Sequence, residues 1–181
     1  RELLLRFDDV RDFYAGRFLH VLVDEYQDTN RLQAEIMDLV ASRHRNLMVV
    51  GDDSQSIYSF RGANYENIMR FPDRYPECKI FKLETNYRST PEILHLANLS
   101  ITNNERQFQK TLRAVREGGV RPVLAPTRNV LQQADFVAQR ILEINRSGVP
   151  LGELAVLYRA HYHSMEVQME LPRRGIPFEI R

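Results

Sequence analysis

Phe18-Leu19-His20-Val21-Leu22-Val23-Asp24-Glu25-Tyr26-Gln27-Asp28-Thr29-Asn30 is the stretch on which the reading of this chain turns. Val21, Leu22 and Val23 form an apolar run without alternation. Such a run reads as a strand of a parallel sheet, buried on both faces. It stops at once in two adjacent acids, Asp24 and Glu25. The carboxyl end of a parallel strand is where open α/β sheets bind their ligands. Side chains alternate along a strand, so the two acids point different ways. Asp24 is then placed to hold a Mg²⁺ ion, and Glu25 to orient or deprotonate a water. A lone Asp-Glu pair reads more often as a solvated strand end, so the flanks decide.

Downstream, the pattern repeats. Asp28 or Thr29 is expected to cap a helix whose Leu32, Ile36, Leu39 and Val40 share one face, running to about Arg43. Leu47–Val50 reads as a second buried strand, and after Gly51 it too ends in acids, Asp52 and Asp53. Strand, helix and strand with short links predict a βαβ unit in a parallel sheet. Residues 1–17 carry Leu3, Leu4, Leu5, Phe7, Val10 and Phe13; the later ones have rough helical spacing and are expected to cover that sheet.

Gly51–Ala63 reads Gly-Asp-Asp-Ser-Gln-Ser-Ile-Tyr-Ser-Phe-Arg-Gly-Ala. The Gln55 amide can sense a terminal phosphate. Tyr58, Phe60 and Arg61 offer flat faces and a cation, the groups that stack single-stranded bases and hold a phosphate. The alternative is that Tyr58 and Phe60 belong to the core. A third stretch, Leu83-Glu84-Thr85-Asn86-Tyr87-Arg88-Ser89-Thr90-Pro91, follows an expected strand at Ile80–Leu83. Ser89 or Thr90 is expected to cap the next helix, with Pro91 in its first turn. On residue type alone, Arg88 reads as a surface ion-pair partner.

These three stretches, in this order, resemble the second, third and fourth motifs of superfamily 1 DNA helicases of the UvrD/Rep/PcrA type. In the third, Phe60 stands where many members have tryptophan, and Asp53-Ser54 replaces the more familiar Ser-Asp. Phenylalanine still stacks. The resemblance runs from about Leu3 to Arg181 and implies an α/β fold. Its parallel sheets, flanked by helices, would be parts of two RecA-like lobes of a P-loop NTPase helicase. Residues 1–84 would be the later part of the first lobe and residues 85–181 the opening part of the second. The resemblance further implies ATP and Mg²⁺ as cofactors, with Tyr87 stacked on adenine and Arg88 reaching the γ-phosphate as an arginine finger. It implies single-stranded DNA and duplex junctions as substrates, with movement 3′ to 5′ in repair or replication. Arg159 and His161, in Leu-Tyr-Arg-Ala-His, would touch the DNA backbone; otherwise each is an exposed polar residue.

The rest of the chain bounds this picture. A hydrophobic content of 43% and a charged content of 27% suit a globular protein rather than a disordered one. The net charge of +1 is close to neutral, so any DNA contact must come from local groups. No apolar run has membrane-spanning length, and the start lacks the basic-then-apolar order of a signal peptide. Cys78 is the only cysteine, which excludes an intrachain disulfide and a cysteine-based zinc site and fits a reducing cytoplasm. Residues 102–119 read as a connecting loop. Strands are expected at Val120–Ala125, Leu154–Tyr158 and Ile176–Ile180, and helices at Leu131–Asn145, stopped by Gly148, and Ser164–Arg173. No Gly-x-x-x-x-Gly-Lys-Ser/Thr phosphate loop occurs in these 181 residues. The expectation is a piece of a larger motor, inactive by itself, that works with the remaining domains of its parent. Two other readings stay open: a non-catalytic DNA- or partner-binding module on the same scaffold, and part of a helicase-nuclease subunit.

Overall fold

The computed structural model describes residues 1–180, apart from the side chain of Arg61. The chain forms two compact units, Arg1–Pro122 and Val123–Arg181.

The first unit opens with α1 (Glu2–Arg6) and α2 (Asp8–Arg17). The strand β1 (Val21–Val23), the helix α3 (Arg31–Val40) and the strand β2 (Leu47–Val49) follow. β1 and β2 pair in parallel, with Val21 opposite Leu47 and Val23 opposite Val49. The expected βαβ unit is therefore present. Asn30, not Asp28 or Thr29, caps α3: its side chain accepts from the Gln33 N–H, and the Gln33 side chain accepts from the Asn30 N–H. This reciprocal box satisfies two helix-end donors at once. α1 and α2 pack against α3.

One face of the sheet packs into a core of Tyr26, Ala34, Ile68, Phe71 and Tyr75, with Val23, Leu47 and Val49 against it. The expectation of strands buried on both faces is corrected. Leu22 is 73% exposed and Met48 58%, because the described residues supply only one covering layer. α4 (Glu66–Met69) and α5 (Phe71–Arg74) close that core.

β3 (Thr85–Asn86) leads through a turn into α6 (Pro91–Ile101) and pairs in parallel with β4 (Arg113–Ala114). Thr90 is the N-cap of α6, though its side chain makes no capping bond. The expected strand at Ile80–Leu83 is absent, and the ladder lies just beyond it. Residues 102–119 are likewise more than a connection, since β4 lies within them. The second unit holds α7 (Val130–Arg146), capped by Asn129, and α8 (Met165–Arg173), packed through Ala138, Leu171 and Ile176. Gly148 follows α7 in the left-handed conformation that ends helices.

The strands expected at Val120–Ala125, Leu154–Tyr158 and Ile176–Ile180 do not form among the described residues. Leu124 and Leu157 are each 92% exposed. A strand is held by a neighbour that takes its N–H and C=O groups, and apolar β-branched sequence cannot substitute for one. The architecture is α/β, with helices and two small parallel sheets. No helix among the described residues is long and apolar enough to cross a membrane.

Candidate functional site

The acid pair sits where β1 runs out. The Val50 N–H donates to the Val23 carbonyl at 2.8 Å, and the Tyr26 N–H donates to the Val50 carbonyl at 2.9 Å. Between those rungs Asp24 and Glu25 turn outward, both exposed. Glu25 adopts φ 49° and ψ 43°, the left-handed region. A non-glycine residue there carries a strain on the order of 1–3 kcal/mol and survives only where its surroundings dictate it. Here they do. The Asp24 carboxylate accepts from the Glu25 N–H at 2.9 Å, and the Glu25 carboxylate accepts from Gln27 Nε2 at 2.7 Å.

Gln27 is the residue the sequence reading passed over. Its side chain is 1% exposed, and both ends of the amide are used. Nε2 holds Glu25, while Oε1 accepts from the Asp52 N–H at 3.0 Å. One buried amide thus joins the two acid-bearing strand ends. The close approach explains Gly51: a Cβ there would lie 2.6 Å from Gln27 Oε1 and 2.8 Å from Ile68 Cδ1. A Gln two residues after a strand-end acid, with a Gly before the second acid, was the available signal.

Asp52 organises the next turn. Its Oδ1 accepts from the Ser54 N–H at 3.0 Å and from Lys110 Nζ at 2.5 Å. Its Oδ2 accepts from Gln55 Nε2 at 2.7 Å. Lys110 also reaches Asp53 Oδ1 at 3.1 Å, and the buried Asp53 accepts the Phe108 N–H through Oδ2 at 3.2 Å. Burial alone would raise the Asp52 carboxyl. The hydrogen bonds from Lys110 and Gln55 and the nearby ammonium outweigh it and hold the group below its ordinary range. Burial alone would lower the Lys110 ammonium; Asp52 and Asp53 reverse that and raise it. Lys110 lies in the stretch read as a connecting loop. A half-buried acid beside a buried one calls for a cation, so the adjacent pair was the clue.

Tyr58 and Phe60 lie at the surface, with ring centroids 6.0 Å apart and planes at 49°. Phe60 is 72% exposed, which removes it from the core. The Arg61 side chain, the third sequence candidate in this turn, lies outside the described residues. Gly62, at φ 85°, ends the turn. The Asn64 N–H and the Asn67 amide both donate to the Thr29 carbonyl, each at 2.9 Å, so this segment is tied back to the first acid turn.

Tyr87 and Arg88 follow β3 in a turn held by Asn86, whose Oδ1 accepts from the Arg88 and Ser89 N–H groups at 2.9 and 2.7 Å. Tyr87 is 75% exposed and Arg88 is also exposed. Both belong to the first unit, as do Asp24, Glu25, Gln55, Tyr58 and Phe60. Arg159 and His161 belong to the second unit, on exposed chain before α8; the Tyr158 and His161 rings are 6.3 Å apart. Hydrogen bonds connect Glu25, Gln27, Asp52, Gln55 and Lys110 in one network. No group of three or more His, Cys, Asp or Glu among the described residues is arranged as a protein-only metal cage. Mg²⁺ is commonly held by one or two carboxylates and substrate phosphates instead, and the exposed Asp24 suits that chemistry.

Residues 1–76 match the UvrD/REP helicase N-terminal domain, and residues 81–181 match the UvrD-like helicase C-terminal domain. An ATP-dependent DNA helicase PcrA of Staphylococcus epidermidis is 38% identical over 176 residues, covering 97% of this chain. One from Staphylococcus aureus is 37% identical over the same length. The chain spans 24% of the length of each of these relatives. With the second family model covering residues 81–181 and the first adjoining it, the chain belongs to the UvrD-like helicase family.

Proposed function

We propose that these residues are part of an ATP-dependent DNA helicase that couples ATP hydrolysis to movement along single-stranded DNA and to opening of duplex junctions. The observation that carries this reading is the Gln27 bridge, which holds a candidate general base, Glu25, in hydrogen-bonded register with the turn that bears Gln55. A degenerate scaffold needs neither the strained Glu25 backbone nor a buried amide spent on its carboxylate.

In this reading Glu25 takes the proton of the attacking water, and Gln55 donates to the terminal phosphate. Arg88 stabilises the charge that develops on that phosphate, and Tyr87 stacks on the adenine. Asp24 would hold Mg²⁺, which when bound neutralises phosphate charge. Tyr58 and Phe60 stack bases, while Arg61, Arg159 and His161 hold the DNA backbone. Residues 1–84 form the later part of one RecA-like lobe and residues 85–181 the opening of the second, in line with the two family models meeting between residues 76 and 81. The first compact unit reaches further, to Pro122, because residues 106–110 lie against Asp52, Asp53 and Glu66. Movement is 3′ to 5′ and the compartment is the cytoplasm.

The test is ATP turnover and strand displacement by the full-length parent, with and without single-stranded DNA. DNA-stimulated turnover with displacement of a labelled strand is expected. Turnover indifferent to DNA, with no displacement, would overturn the reading.

A further inference from the structure

We propose that Lys110 is a positioning residue for this ATP site: it fixes the Asp52 carboxylate, and Asp52 in turn aims the Gln55 amide. The inference rests on the ATPase reading above and adds to it a residue outside the three motifs.

The geometry is a relay through one carboxylate. Asp52 Oδ1 is shared by the Ser54 N–H and Lys110 Nζ, and Oδ2 takes one N–H of Gln55. An amide nitrogen carries two hydrogens, so Gln55 keeps the other for a phosphate oxygen. Remove the ammonium, and Asp52 becomes a half-buried acid next to the buried Asp53 with no cation between them. Two close carboxylates repel, and the more accessible one turns to water. Asp52 is the more accessible, and Gln55 hangs from it.

Lys110 is itself held by a strap. Arg106 makes two bonds to Glu66, at 2.8 and 3.1 Å, and the Tyr65 hydroxyl donates to the Arg106 carbonyl. The Phe108 N–H is fixed on Asp53, and the Thr111 N–H donates to Glu84 at 2.9 Å. Two residues further on, β4 pairs with β3, and Arg116 then donates to the Arg88 carbonyl at 2.9 Å. Residues 106–116 therefore touch the Gln55 turn at one end and the Arg88 turn at the other. Lys110 is the member of this run whose charge reaches a functional side chain through a single intermediate.

The experiment is a mutant cycle in the full-length parent, reading kcat and KM for ATP at saturating single-stranded DNA. Losing a direct transition-state donor costs about 10²–10³ in kcat, so Gln55→Ala should show a loss of that size. Lys110→Met, which keeps the stem and drops the charge, is expected to lower kcat roughly 10–100-fold with KM little changed. Lys110→Arg should restore most of the loss. Lys110→Met combined with Gln55→Ala should be no slower than Gln55→Ala alone, because both act through one amide. If Lys110→Met does not fold, Lys110→Gln, which also removes the charge between Asp52 and Asp53, takes its place in the cycle with the same expected fall in kcat. Losses in kcat that multiply in the double variant would overturn the proposal. So would a lowered melting temperature with kcat unchanged. If Gln55→Ala itself leaves kcat intact while turnover remains DNA-stimulated, it is the assignment of Gln55 that fails, and the relay fails with it.

Discussion

Gln27 carries more of the site than its place between two acids suggests. Its buried amide serves Glu25 on one side and the Asp52 backbone on the other. Gln27→Leu keeps similar bulk but strands the Asp52 N–H. Leaving a buried polar group unpaired costs about 1–3 kcal/mol, which is the upper bound for this half-buried N–H. That loss should appear in denaturant unfolding of the 181-residue chain, and wild-type stability would show that the bridge is dispensable. Asp52 gives a pH test. Its folded carboxyl titrates below its ordinary 3.8, so its contribution to stability is present above that value and disappears as pH falls through the lower folded value. Asp52→Asn should flatten the acid limb of the stability profile below pH 3.8, and an unchanged limb would remove Asp52 from the account. At this scale, strand-end and turn settings pointed to Asp24, Glu25 and Gln55 in the sequence, while Tyr87 and Arg88 were legible only through the family resemblance. It passed over Gln27 and Lys110, because what makes them important is a partner 25 or 58 positions away.

Elements were legible where local chemistry defines them. Val21–Val23 and Leu47–Val49 are short apolar runs that end in acids or glycine, and both are strands. The long helix at Val130–Arg146 has its periodicity and its Gly148 stop in plain view. The failures share one cause. Ile80–Leu83, Val120–Ala125 and Leu154–Tyr158 have strand-like composition but no partner strand among the described residues. Conversely, β3 and β4 are fixed by remote contacts, Thr111 with Glu84 and Leu112 with Asn98, which no local pattern announces. The capping box of α3 carries a prediction. Asn30→Ala removes the acceptor for the Gln33 N–H and should cost about 1 kcal/mol, within the 0.5–2 kcal/mol typical of such caps. Asn30→Asp, which keeps an acceptor, should stay near wild type. An Asn30→Ala variant as stable as wild type by thermal unfolding would mean that the cap contributes nothing.

At the scale of the molecule, the 181 residues hold candidate groups for metal, water, base and terminal phosphate but no glycine-rich phosphate loop. In nucleotide-driven motors that loop and its lysine supply most of the grip on the phosphates. The isolated chain is therefore expected to show no DNA-stimulated ATP turnover. A rate of about one per second, at the low end of ordinary enzymes, would reveal a phosphate site within it. The sheet face at Leu22 and Met48 is an exposed apolar surface. Glu25 is the centre of the site: its backbone is strained and its carboxylate is held by a buried amide. The most direct measurement is Glu25→Gln in the full-length parent, with ATP binding and single-stranded-DNA-stimulated hydrolysis read on the same preparation. Loss of a general base costs about 10²–10⁴-fold in rate, so hydrolysis should fall by that factor while ATP affinity stays within a few-fold of wild type. Hydrolysis within a few-fold of wild type would contradict the assignment of Glu25 as the base.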